Sequence, residues 1–278
     1  MGVTRVRWLW IAALISTVAA AAWQRRTGPS HAVRVEIPLP DTALAFTLPR
    51  TSPTTSAPRI ALPAWGDQAA GMLQWRRYPT DDAFAAIPLQ RDADQLVAAL
   101  PIQPPAGKVE YYLALPTADG TVRVPDATVI LRFHGPVPAA VLTAHVAVML
   151  VALLTGVRAA LAAVFATGEE RALALVTVAG LTLGGLILGP ITQEYAFGAY
   201  WTGVPFGWDL TDNKTLVMWI GWAIAGVVAA RRRRAARGLV IAAAVLMLVV
   251  YVIPHSVRGS QLDYTRVPET ADPHRPAP

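Results

Sequence analysis

The sequence predicts an α+β membrane protein: an extracytoplasmic immunoglobulin- or fibronectin-like β-sandwich, then a four-helix transmembrane bundle, with a signal anchor or signal peptide in front. Three observations predict it. Of 278 residues, 54% are hydrophobic and 15% charged, whereas a soluble domain carries about 25% charged residues. Long apolar runs recur at residues 8–23, 137–157, 172–191, 215–230 and 238–253. Between the first two lie about 100 residues of short alternating apolar stretches broken by prolines, a pattern with period two rather than 3.6.

The first run follows Arg5 and Arg7 and ends in four alanines at positions 19–22. Its 16 residues are short for a span, which needs about 20, and the alanines suit signal peptidase. Residues 1–26 therefore read equally as an anchor or a cleaved signal.

Residues 32–135 come next. Candidate strands are 33–37, 43–48, 59–62, 72–78, 85–90, 95–100, 108–115 and 121–133. Asp119-Gly120 is a hairpin signal between the last two, since both residue types accept positive φ. Seven or eight such strands at regular spacing suggest a sandwich. Trp75 is a candidate core residue, and Tyr111 or Tyr112 a candidate tyrosine corner. Asp81, Asp82, Asp92 and Asp94 are scattered in turn-like stretches, where aspartate bonds its own backbone. No catalytic cluster is visible, so this region reads as a binding or positioning module.

The later runs form a transmembrane domain over residues 137–255, and arginines orient it. Arg158 and Arg171 flank one connecting loop, and five arginines between positions 231 and 237 fill another. Both loops should be cytoplasmic. That explains much of the net charge of +6 without nucleic-acid binding. The loop 192–214 and a tail 256–278 then lie outside the cytoplasm, as does the leading β region. Arg25 and Arg26, outside the first run, fit this rule less well. In the second bundle run, Gly180, Gly184, Gly185 and Gly189 permit close helix approach. The chain has no cysteine, which excludes disulfides, thiolate metal sites and covalent haem attachment through its own thiols.

Chemistry-bearing residues concentrate on the outer side. His145 sits inside an apolar helix, where ionisable side chains are functional candidates by default, and His255 follows the last run. Neutral imidazole is a good axial ligand for haem iron. Each also has a plain reading: a hydrogen bond to a neighbouring helix for His145, and an interface position for His255. The loop carries Tyr200, Trp201, Trp208, Asp209, Asp212 and Lys214. Asp212 is expected to cap a helix beginning near Lys214. Trp201, Trp208, Trp219 and Trp222 are either an interface belt or a platform for a flat cofactor.

The segment Phe197-Gly198-Ala199-Tyr200-Trp201, then Gly207-Trp208-Asp209-Leu210, then Thr215-Leu216 and Trp219 resembles the tryptophan-rich WWD signature of cytochrome c biogenesis membrane proteins. Phe197 stands where that signature has its first tryptophan, and residues 202–206 are inserted between the two aromatic pairs. The whole chain also resembles uncharacterised bacterial inner-membrane proteins that join a β-sandwich to such a loop. The resemblance implies an extracytoplasmic haem platform flanked by histidines on adjacent helices. His145 and His255 would then be axial ligands, Trp201 and Trp208 would stack on the macrocycle, Tyr200 and Asp209 would line the site, and Lys214 would meet a propionate. The expected function is handling of haem, or a similar flat cofactor, at the outer leaflet of a bacterial inner membrane. The expected partners are membrane lipid and envelope or cytochrome-assembly proteins, with no nucleic acid. The alternative is a non-enzymatic envelope scaffold, or a subunit of a larger complex, that recruits partners through its β-sandwich.

Overall fold

The computed structural model describes residues 3–28, 30–38, 43–66, 69–117, 120–231, 233–253 and 261–266. The chain divides into two units, one of residues 1–31 and 137–259, the other of residues 32–136 and 260–278. The fold is α+β, with a β-rich N-terminal region and a set of apolar helices.

The β unit holds ten strands: β1 (Val33–Pro38), β2 (Ala43–Leu48), β3 (Thr51–Pro53), β4 (Arg59–Pro63), β5 (Met72–Arg77), β6 (Ala85–Pro88), β7 (Gln90–Asp92), β8 (Gln95–Ala99), β9 (Lys108–Thr117) and β10 (Gly120–His134). They form a β1–β2 pair, a five-stranded sheet ordered β3-β10-β9-β5-β6, and a three-stranded sheet ordered β4-β8-β7. Each expected strand is present. β3 and β7 are additions, three residues long, too short to show an alternating pattern. Alternation dictates burial elsewhere: in β2, Leu44, Phe46 and Leu48 point inward while Ala43, Ala45 and Thr47 face out. β9 lies between β10 and β5 and is buried along most of its length.

All three sheets contribute to one apolar core, which includes Leu48, Ile60, Leu73, Leu96, Tyr111, Leu131 and Phe133. Trp75 belongs to it, as the sequence suggests. The Tyr111 hydroxyl donates to the Pro49 carbonyl at 2.7 Å, so it ties β9 to the β2–β3 turn rather than to its own corner. Gly120 pairs with Thr117 across the β9–β10 hairpin at φ +132, a conformation that favours glycine; Asp119 lies outside the described residues. Arg77 pairs with Asp82 and Arg59 with Asp92, both at 2.6 Å. Described tail residues also join this unit. Tyr264 donates to the Lys108 carbonyl at 2.8 Å and accepts the Lys108 N–H at 3.0 Å.

The helical unit contains α1 (Val3–Thr27), α2 (Ala139–Val164), α3 (Glu170–Gly180), a π-helical segment (Leu181–Leu188), α4 (Gly189–Phe197), α5 (Leu210–Arg231) and α6 (Arg233–Val252). Among the described residues, four stretches are long and apolar enough to cross a membrane: Val6–Thr27, Ala139–Val164, Glu170–Phe197 and Leu210–Arg231. This set differs from the expected bundle. The marginal first run extends into a 22-residue apolar helix. The apolar part of α6 covers only Ala236–Val252, because arginines occupy its first turn.

The glycines of the second bundle run permit close packing. A methyl group added at Gly180 would lie 2.9 Å from Ala152 Cβ on α2, and one at Gly185 would lie 2.7 Å from Thr215 Cγ2 on α5. The first and last helices are tied at their C-terminal ends. Gln24 Nε2 donates to the Tyr251 carbonyl at 2.6 Å, and Trp23 Nε1 to that of Val252 at 3.3 Å. The opposite end is held by charge. Arg158, fully buried, donates to Glu169, and its guanidinium lies 5.3 Å from the Trp10 ring. Arg237 pairs with Glu170 at 3.3 Å.

Candidate functional site: the aromatic loop and the helix ends beneath it

The loop between α4 and α5 is built around two aspartates. α4 stops at Gly198, whose φ of +75 lets its N–H return to the Glu194 carbonyl at 2.8 Å, a left-handed C-cap that suits glycine. α5 starts at Leu210, about one helical turn before Lys214, and its cap is Asp209 rather than Asp212. Asp209 Oδ1 accepts the N–H groups of Thr211 at 2.7 Å and Asp212 at 3.3 Å. This corrects the expected cap.

Asp212 is thereby freed for another task. Its buried carboxylate oxygen Oδ2 accepts from Thr202 N–H at 2.6 Å, Gly203 N–H at 3.0 Å, Gln193 Nε2 at 3.1 Å and Thr202 Oγ1 at 3.3 Å. Asn213 Oδ1 accepts the Val204 N–H at 2.8 Å. The inserted residues 202–206 are therefore held as a turn, closed by Phe206 N–H to Gly203 O at 2.8 Å. A side chain at position 203 would come 2.6 Å from Asp212 Cβ, so only glycine lets the turn approach this closely. Trp201 Nε1 donates within the turn to the Val204 carbonyl at 3.1 Å.

With the backbone fixed from below, the aromatic side chains are left outside. Trp208 is 86% exposed, Phe206 82% and Tyr200 61%. Exposed apolar groups grouped on one rigid loop mark an interaction site more often than chance. Phe206 was not singled out by sequence, because its exposure depends on how the turn folds. The other two tryptophans are not part of a belt. Trp222 is fully buried in the bundle core. Trp219 packs against that core and donates to Thr182 Oγ1 at 2.9 Å.

His145 lies on α2, six residues beyond its start, or about 9 Å along the axis. Its Nδ1 is 3.0 Å from the Gly184 carbonyl in the π-helical segment. A carbonyl only accepts, so Nδ1 carries the proton, and the neutral ring keeps its lone pair on Nε2. The ring packs beside Gly189, where an added methyl group would meet His145 Cε1 at 3.6 Å, an ordinary contact distance. Lys214 is buried and donates to the Ile253 carbonyl at the end of α6; its ammonium is engaged inside the bundle rather than presented at the loop. His255 lies outside the described residues. α2 and α6 pack on one another, with Gly156 against Met247.

Tyr200, Trp201, Trp208 and Asp209 thus lie in the loop that leads into α5, Lys214 lies in its first turns but bonds the end of α6, and His145 lies on α2 against the π-helical segment. Among the described residues, no group of three or more His, Asp or Glu side chains is arranged to hold a metal ion. No protein-family model, curated protein or solved structure matches the chain.

Proposed function

We propose that this is a bacterial inner-membrane protein that holds haem, or a similarly flat conjugated cofactor, beside an aromatic loop at the outer leaflet. The helices of 22, 26, 28 and 22 residues, together with α6 and its shorter apolar part Ala236–Val252, span the bilayer in this reading. The arginine-bearing helix ends face the cytoplasm, and the β unit and aromatic loop face out. The β unit is read as an extracytoplasmic sandwich, because its sheets share one core.

The observation that carries the cofactor reading is the state of His145. Its Nδ1–H is committed to Gly184, as metal-binding histidines usually commit theirs to a carbonyl or carboxylate. That leaves Nε2 as the donor atom for iron. His145 would be one axial ligand and His255 the other, while Trp208 and Trp201 offer aromatic faces. Haem would supply electron transfer or a group to be passed on. The protein's own residues would bind and orient it. Lys214 and Asp209 serve the helix ends instead, as bond donor to Ile253 and as cap.

A second reading is favoured by the same loop. The outward aromatic trio on a pinned turn also suits protein docking, which makes the chain a non-enzymatic scaffold or a subunit of a larger envelope complex.

The test is an absorbance spectrum of detergent-purified protein made with haem supply. A Soret band that disappears in His145→Ala and His255→Ala, with membrane insertion retained, supports the first reading. Colourless protein that co-purifies with a stoichiometric partner, lost on Trp208→Ala, overturns it in favour of the second.

A further inference from the structure

α1 and α2 do not close completely on one another. Between them runs a groove of about 420 Å³ walled by Leu14, Val18 and Ala22 on α1 and by Leu150 and Leu154 on α2. That volume is in the usual range for a small-ligand site. Thr17 also lines it, its hydroxyl turned back to the Ala13 carbonyl at 2.9 Å; the other lining residues are aliphatic except Arg25, at the α1 end of the groove. Arg25 is exposed, and no described residue forms an ion pair with it.

We propose that this groove seats one anionic phospholipid of the outer leaflet, with an acyl chain along residues 14–22 and its phosphate at Arg25. Three observations converge. The first is chemistry: an aliphatic trough ending in a single guanidinium matches an amphiphile with an anionic head, and arginine binds phosphate through paired N–H donors. The second is length. From Leu14 to Arg25 is 11 residues, or about 16 Å of helix, close to the ~15 Å of one leaflet in a ~30 Å hydrocarbon core. The third is a charge that otherwise lacks a reason. Arg25 lies at the end of α1 that shares bonds with the end of α6, opposite the arginine-rich end, where the positive-inside rule disfavours it. A phosphate partner accounts for its place. Arg26, its neighbour, does not line the groove.

The inference rests on the membrane placement proposed above and is independent of haem. Carbonate extraction checks that placement first: full-length protein washed from membranes would overturn the membrane reading itself. With insertion established, native mass spectrometry of the full chain is read after incubation with phosphatidylglycerol or phosphatidylcholine in mixed micelles. One phosphatidylglycerol should be retained in preference to phosphatidylcholine. Arg25→Ala should weaken that retention about fivefold, equivalent to the ~1 kcal/mol that one basic residue gains near an anionic lipid surface, while Arg26→Ala leaves it unchanged. Equal retention of the two lipids, equal loss from both variants, or a lipid-free dimer with a second copy in the groove would each overturn the proposal.

Discussion

Replacing Asp212 by alanine removes the oxygen that holds the first two backbone N–H groups of the turn, leaving Asn213 Oδ1 on Val204 N–H. Oδ2 accepts from Thr202 N–H at 2.6 Å and Gly203 N–H at 3.0 Å, besides two side-chain donors at 3.1 and 3.3 Å. A hydrogen bond to a charged group is worth about 1.5–3 kcal/mol, and a buried donor left without an acceptor costs about 1–3 kcal/mol. The side-chain donors can turn to water, whereas the two backbone N–H groups cannot move independently of the turn. Losing them together should cost the closed loop about 2–4 kcal/mol. At about 1.4 kcal/mol per tenfold, the loop amides should exchange roughly 30- to 1,000-fold faster. Hydrogen–deuterium exchange on the peptide covering residues 198–209 reads this directly, with the bundle peptides as internal reference. Asp212→Asn should behave differently. Its amide oxygen can take the Oδ2 position, so the turn should persist with smaller loss. The reasoning fails if exchange in Asp212→Ala matches wild type, or if the asparagine variant opens the loop as fully as the alanine.

Other expectations follow from packing, charge and topology. Gly180→Ala sets a methyl 2.9 Å from Ala152 Cβ and 3.4 Å from its Cα, with no flexible group to yield, while Gly184→Ala meets the flexible Met149 thioether at 2.9 Å and Val148 Cγ1 at 3.1 Å; overpacking costs about 1–3 kcal/mol, so unfolding in detergent should show the larger loss for Gly180→Ala. The side-chain hydrogen bond from Arg77 holds Asp82 below the ordinary carboxylate value of 3.8. A depressed folded value stabilises above 3.8 and loses that contribution as pH falls through it, so an acid melt should show a component below about pH 4 that Arg77→Ala removes. A reporter fused after Ser260 should behave as periplasmic; cytoplasmic activity there would reverse the orientation and remove the outer-leaflet site with it.

The strands and helices were legible because their signals are local. Alternation in residues 43–48 and apolar runs of 20 residues report burial without knowledge of a partner. The site was less legible because its bonds join distant residues. Which of Asp209 and Asp212 caps α5 depends on the helix beginning at Leu210, and that in turn depends on the turn folding back over it. The acceptor of His145 is 39 residues away, inside a π-helical stretch that sequence periodicity does not announce. Trp222 and Trp208 read alike as loop-proximal tryptophans, yet one is fully buried and the other 86% exposed. Arg158 reads as a loop flank, whereas helix packing turns it inward onto Glu169.

The bond between Tyr264 and Lys108 has a consequence for how the chain is made. Their separation is 156 residues, and every helix from α2 to α6 is encoded between them. A ribosome releases the β strands first and Tyr264 only after α6. The β unit must therefore wait, with the Lys108 N–H and carbonyl lacking their tyrosine, until α6 has been translated and its far end delivered. Completion of this unit is thus coupled to the birth order of the helices. A nascent chain halted anywhere in the bundle would carry a β unit whose Lys108 N–H and carbonyl still lack the Tyr264 hydroxyl.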